Sequence, residues 1–321
     1  MELLGSHSLT VWISFTAIIV VLLVVDLGVL NRKAHVLSTK EAAAWCSGLV
    51  TLAMLFCAWL WYREGSTHAL EFLTGYLIEL SLSVDNLFVF ILVFQYFAVP
   101  AALQPKVLKW GILGALIMRA IMIAAGALLI TRFHWIIYVF GGILVITGIR
   151  MMRSGGEQRI ELEKNPMVRL VRRVFPISRS YDGDRFFIRT RTRWLATPLL
   201  LVLLVVEWTD LVFAIDSIPA IFAVTQDPFI VYSSNVFAIL GLRALFFLLA
   251  GMLDTFHYLK FGVALILTFV GIKMILSGWI HLPIAISLGV IVVTLATAII
   301  ASIVRTRREE ARLTAGGRLT V

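Results

Sequence analysis

Nine apolar runs, separated by short polar breaks, occupy nearly the whole chain, at roughly residues 9–30, 41–62, 72–97, 107–131, 135–152, 195–224, 230–252, 258–278 and 283–304. Each is close to the roughly 20 apolar residues a helix needs to cross a bilayer. Without water in the hydrocarbon, a spanning segment must satisfy its own backbone, and for runs of this length the helix is the way to do it. With 60% hydrophobic and 15% charged residues, the chain lacks the polar surface of a soluble domain. The expected fold is all-α, a polytopic transmembrane bundle of about nine spans. The first run is too long, and too poor in preceding basic residues, for a cleavable signal, and is expected to be a true span. Cys46 and Cys57 share one apolar run and are expected to be packing residues, since their spacing suggests neither a disulfide framework nor a thiolate metal site.

The formal charge of +9 does not point to nucleic acid, because the basic residues lie in the breaks between spans and not on a soluble surface with stacking groups. Assigning alternate breaks to alternate sides puts 22 Lys and Arg residues on one side and two, Arg63 and Arg132, on the other. The positive-inside rule makes the richer side cytoplasmic, with the N-terminus outside and the C-terminus inside. Eleven of the 22 fall in one long segment, residues 153–194, where Arg alternates with Val, Leu, Phe and Ile. Such a segment is expected to lie on anionic lipid headgroups.

Acids interrupt two of the runs. "LIELSLSVDNLFVF" carries Glu79, Asp85 and Asn86, and "LLVVEWTDLVFAIDSIPAIFAV" carries Glu207, Asp210, Asp216 and Ser217. An ionised side chain at membrane depth costs about 3 kcal/mol on insertion scales and marks a functional position. The two runs are also copies of one another. "DNLFVFILVFQYFAV" from Asp85 aligns with "DLVFAIDSIPAIFAV" from Asp210, and "FHWIIYVFGGILVITGIRMM" from Phe133 with "FHYLKFGVALILTFVGIKMI" from Phe256, both without gaps. Between them Arg119 and Arg243 fall within one position of each other. Spans 3 to 5 thus repeat as spans 6 to 8, and a tandem unit of three spans enters the membrane from opposite faces, giving an inverted repeat. The chain divides into two N-terminal spans (1–71), a first repeat (72–152), the basic loop (153–194), a second repeat (195–278) and a last span with a basic tail (279–321).

In an inverted repeat the two acid-bearing helices meet near the midplane, so five carboxylates are expected to face one cavity. Glu207 and Asp210 share a helix face, but Asp216 lies roughly 240° round from Asp210 at 3.6 residues per turn. Pro219 offers a remedy: a helix break near "IDSIP" that turns Asp216, Ser217 and freed carbonyls toward the others. Pairing with Arg119 and Arg243 neutralises two of the five charges and leaves the rest to protons or a cation. The donor set of carboxylates, hydroxyls and the Asn86 amide, with Ser81 and Ser83 nearby and no His or Cys, suits a hard divalent ion such as Mn²⁺, Mg²⁺ or Ca²⁺. His134, His257 and Asp26 are expected to be interfacial.

Three stretches, "FLTGYLIELSLSVDNLFVF", the long "ATPLLLVLLVVEWTDLVFAIDSIPAIFAVTQDPFIVYSSNVFAILGLRALFFLLAG" and "VGIKMIL", resemble the TerC family of bacterial integral membrane proteins, in its Alx-like branch. The resemblance covers about residues 10–304 and matches the family's acids at Glu79, Asp85, Glu207, Asp210 and Asp216. It implies a cytoplasmic (inner) membrane protein of metal-ion homeostasis, and specifically export of Mn²⁺. No prosthetic cofactor and no enzymatic activity are expected, and no phosphate-binding loop motif is present in the sequence. The expected mechanism is alternating access of the two repeats, with proton antiport as the coupling. The alternative is a membrane-embedded factor for biogenesis or metallation of other proteins.

The charge division makes a topological prediction. Single-cysteine accessibility labelling should report residues 153–194 from the cytoplasmic side and position 227 from the outside; Arg193 and Asp227 on one side would remove the sixth span and the inverted repeat with it.

Overall fold

The computed structural model describes residues 9–25, 38–133, 135–153, 168, 176–178, 180–189, 194–250, 258–280 and 282–316, apart from the side chains of Asp85 and residues 309–316. Asp26, His134, His257 and most of the basic loop lie outside the described residues. The described residues form helices α1 (Leu9–Val24), α2 (Thr39–Glu64), α3 (Ser66–Tyr96), α4 (Gln104–Arg132), α5 (Ile136–Arg153), α6 (Pro198–Phe222), α7 (Pro228–Ala250), α8 (Leu259–Leu276) and α9 (Ile284–Gly316). All but α1 are long and apolar enough to cross a membrane. The α1 helix coincides with the first 16 residues of the expected first span, the rest of which lies mainly outside the described residues. Outward-facing Leu55, Ile117, Ile121, Ile146 and Val293 are more than 60% exposed, which suits a surface bathed in hydrocarbon.

Local signals set the helix ends. Ser38 and Glu41 form a reciprocal capping box at the start of α2, with the Glu41 amide donating to Ser38 Oγ and the Ser38 amide to Glu41 Oε2. Gly65, at φ +95°, ends α2 and is followed at once by α3, a reversal that a side chain would strain. Pro105, Pro198 and Pro228 stand in the first turns of α4, α6 and α7, where a missing amide proton removes no helical bond.

α3 and α7 are the most enclosed spans. α3 packs on α2, α6, α7 and α9, while α4 lies against α6 and α7. Along α3 and α6, Glu71 meets Thr225 just beyond the end of α6, Gly75 meets Ile221 and Asn86 meets Asp210, so the helices run antiparallel. α5 and α8 also run antiparallel and almost touch. A Cβ on Gly141 would stand 2.9 Å from the Gly271 carbonyl oxygen, and one on Gly271 2.7 Å from that of Gly141. Gly148 faces the Ala264 carbonyl at 2.7 Å in the same sense. Small residues serve this purpose in membranes, where backbone approach and dispersion replace the hydrophobic drive between helices.

The end of the basic loop holds an element that the arginine spacing does not announce: strands β1 (Phe187–Arg189) and β2 (Trp194–Ala196), paired antiparallel. The residues leading into it are tied to the α3–α4 connection and the first turn of α4, because Tyr181 donates to the Phe97 carbonyl at 2.7 Å and Lys106 pairs with Asp184 at 2.9 Å while lying over the Phe186 ring. The hydrogen bond and charge of Lys106 hold the exposed Asp184 carboxyl below its ordinary range. The tie is therefore complete above the ordinary carboxylate pKa and is lost as pH falls through the lowered value.

The α5–α8 contact gives a stability prediction. Gly141→Ala and Gly271→Ala should each destabilise by about 1–3 kcal/mol, since backbone must yield to the new methyl. Gly142→Ala, with nothing within 4 Å, should be neutral or stabilising, the comparison being thermal melting of the detergent-purified protein.

Candidate functional site

Two polar stripes face each other at mid-helix. On α3, Glu79, Ser83 and Asn86 are spaced four and three apart and so lie on one face; on α6, Glu207, Asp210 and Ser217 do the same with Ala214 between them. The antiparallel register puts Asn86 opposite Asp210 and Glu79 level with Ser217. Each of these residues other than Glu207 is at least 94% buried.

Arg119 enters from α4, itself 1% exposed. Its Nη1 pairs with Glu79 Oε2, while Nη2 reaches Asp210 Oδ1 at 3.2 Å and Nε reaches Oδ2 at 3.4 Å. Asn86 Nδ2 adds a contact to Asp210 Oδ1 at 3.4 Å. One guanidinium thus holds carboxylates from two helices, a task its planar fork of five donors suits and a lysine ammonium does not. With both acids ionised, the cluster keeps one negative charge in excess.

Several oxygens of the two stripes are left over. Glu79 Oε1, Asn86 Oδ1, Ser83 Oγ and Ser217 Oγ are buried and have no hydrogen-bond partner among the described residues. Each such group costs about 1–3 kcal/mol unless something else meets it. Glu79 Oε1 and Asn86 Oδ1 are acceptors only, so a proton donor or a cation satisfies them. Ser81 is not part of this set, because its hydroxyl donates to the Leu77 carbonyl at 2.6 Å.

The helix break expected near Pro219 is absent: α6 runs unbroken from Pro198 to Phe222. Pro219 removes one amide donor but stands less than a turn from the helix end, where its own carbonyl accepts from the Ala223 amide at 3.0 Å, so the missing bond is not enough to end the helix. Asp216 accordingly keeps its place on another face of α6, where Thr147 of α5 donates to it at 2.9 Å. Glu207 is partly buried against Gly114 of α4, where any Cβ would overlap its carboxylate. The described carboxylates thus divide among three surroundings and do not face one cavity, and the side chain of Asp85 lies outside the description. Among the described residues no group of three or more His, Cys, Asp or Glu is close enough to hold a metal ion.

Sequence reasoning passed over Glu71, Thr225 and Asp227 at one end of the α3–α6 seam. Thr225 donates to Glu71 Oε2 at 2.9 Å and accepts the Asp227 amide at 3.2 Å; Asp227 Oδ1 accepts the Phe229 amide at 2.9 Å. The signal for Asp227 was present, an acid directly before a proline that opens a span. Thr147 gives no comparable signal.

The sequence from residue 64 to 310 matches the integral membrane protein TerC family. An uncharacterized membrane protein of Myxococcus xanthus is 50% identical over 92% of either chain. Proteins named Alx, whose assignment as membrane-bound redox modulators is itself a proposal, are 50% identical in Salmonella typhi, over 87% of this chain and 89% of that one, and 49% identical in Escherichia coli K12, over 87% and 90%. No solved structure matches. The match spans α3 to α9 and contains both polar stripes and Arg119, and on it the chain belongs to the TerC family of integral membrane proteins, alongside its Alx-like members.

Proposed function

We propose that this protein is a transporter that exports a divalent metal cation, Mn²⁺ foremost, through the seam between α3 and α6. The observation that carries this reading is the set of donor-less oxygens at mid-helix: Glu79 Oε1 and Asn86 Oδ1, with the Ser83 and Ser217 hydroxyls beside them. They are hard ligands of the kind that divalent ions of the Mn²⁺, Mg²⁺ and Ca²⁺ class prefer. The ion-binding set is Glu79, Asn86, Asp210 and Ser217, with Asp85 next in sequence to Asn86 and Glu207 one turn from Asp210. Asp216, held by Thr147 on another face, stands outside it in this arrangement. The preference for Mn²⁺ draws on the family resemblance.

Alternating access by an inverted repeat is supported by the way the copies meet. α3 with α6 and α5 with α8 are repeat mates, and each pair is antiparallel; Gly148 and Gly271, equivalent in the two copies, both lie at the α5–α8 contact. The 22-to-2 division of basic residues supports an inner-membrane orientation with the C-terminus in the cytoplasm and the loop of residues 153–194 on anionic headgroups. Moving two charges outward against 100 mV is uphill by about 4.6 kcal/mol, from about 2.3 per charge. Proton antiport through acids that Arg119 does not hold supplies the coupling.

A thiol-based redox activity, which the name of the Alx relatives invites, finds no dithiol here. Cys46 and Cys57 lie on one helix, about 16 Å apart at 1.5 Å per residue. Paired cysteines need Cα atoms within about 7 Å.

Purified protein in liposomes with a trapped divalent-sensitive dye tests the reading. Wild-type protein should carry Mn²⁺; Asp210→Asn and Asp85→Asn should slow it at least tenfold, and Asp216→Asn by less than threefold. A wild-type protein that moves none of Mn²⁺, Mg²⁺ or Ca²⁺ would refute transport and favour a biogenesis or metallation factor.

A further inference from the structure

The arrangement of Arg119 says more about the site than that it is acidic. Glu79 and Asp210 come from different helices, yet a single guanidinium from a third helix, 1% exposed, engages both. It takes Glu79 Oε2 and both oxygens of Asp210. These are oxygens that a divalent ion needs in order to use the same two acids, at ligand distances of about 2.0–2.6 Å. A divalent ion and a guanidinium on one pair of carboxylates would be like charges a few ångströms apart in a medium that screens them poorly. On the oxygens they share, Glu79 Oε2 and the two of Asp210, the two cations therefore exclude one another.

We infer that Arg119 is a tethered counter-cation that competes with the transported ion for Glu79 and Asp210 and replaces it when the carrier returns empty. The inference rests on the transport reading above. An empty carrier with two bare buried carboxylates at the bilayer midplane would be costly to reorient. With Arg119 in place the pair keeps only one excess charge, and no proton on Glu79 or Asp210 is required. Arginine is suited to this, since its charge persists throughout the physiological pH range whereas a lysine can lose its own on burial. Because Arg119 is fixed to α4 and the acids to α3 and α6, loading the ion requires the guanidinium to withdraw, which couples occupancy to the position or rotamer of one residue on a neighbouring helix. The leftover Glu79 Oε1 and Asn86 Oδ1 remain available to a first contact with the ion before the guanidinium leaves.

The test compares wild type, Arg119→Gln and Arg119→Lys by equilibrium Mn²⁺ binding in detergent, and by net Mn²⁺ flux and Mn²⁺/Mn²⁺ exchange in liposomes. Removing a tethered competitor should tighten Mn²⁺ binding at least tenfold in Arg119→Gln, lower net flux at least tenfold, and leave exchange, which never uses the empty carrier, within threefold of wild type. Arg119→Lys keeps the charge without the fork and should bind Mn²⁺ several-fold tighter, with net flux between the other two; it decides the matter if the glutamine variant does not fold. Unchanged or weaker Mn²⁺ binding in a folded variant, or equal loss of exchange and net flux, overturns the counter-cation role and makes Arg119 a structural residue. Wild-type protein that neither binds nor moves Mn²⁺ fails the transport reading itself, and this inference falls with it.

Discussion

The ion cluster of Glu79, Arg119 and Asp210 ties α3, α4 and α6 together at their midpoints, and much of the interior is arranged around it. Removing one member of a buried pair leaves its partner charged in an apolar setting, at about 3–5 kcal/mol. The packing around it is specific to side-chain size, since Gly114 leaves room only for the Glu207 carboxylate and Gly75 brings α3 near the Ser234 hydroxyl and Ile221. A cluster of this kind fixes which helices meet and at what height.

The α5–α8 pair shows the opposite solution to the same problem. There, Gly141, Gly148, Ala264 and Gly271 let two backbones approach until carbonyls meet Cα atoms, without any charge. The two kinds of contact divide the bundle. One is dense and apolar; the other is polar and incompletely satisfied. On the transport reading proposed above, the first would serve as a rigid pair that carries the motion and the second as a site whose contacts can be exchanged.

Much of this was legible in the residues. Apolar length located the helices because each crossing needs a run of roughly 20 apolar residues, and the acids within "LIELSLSVDNLF" and "VVEWTDLVFAIDS" stood out because hydrocarbon penalises them. The reading of helix phase was sound where it used the regular helix, which turns Asp216 away from Asp210, and failed where it appealed to Pro219 to undo that. A proline so near a helix end sacrifices one hydrogen bond, and packing keeps the rest. That Arg119 takes acids from two different helices depends on the relative heights of α3, α4 and α6, which spacing within one span does not encode. The β1–β2 ribbon escaped because its strands are three residues each, and arginine alternating with apolar residues suits an interfacial segment as well as a strand.

The ribbon's attachment has a mechanical meaning. Lys106, which grips Asp184, and Arg119, which grips Glu79 and Asp210, stand on the same continuous helix, thirteen residues or about 20 Å apart along its axis. A helix of this length transmits axial load as a stiff rod. The segment around Asp184 therefore bears on one end of the helix whose middle carries the guanidinium, and a displacement of that segment along the axis would act on the element that holds Glu79 and Asp210.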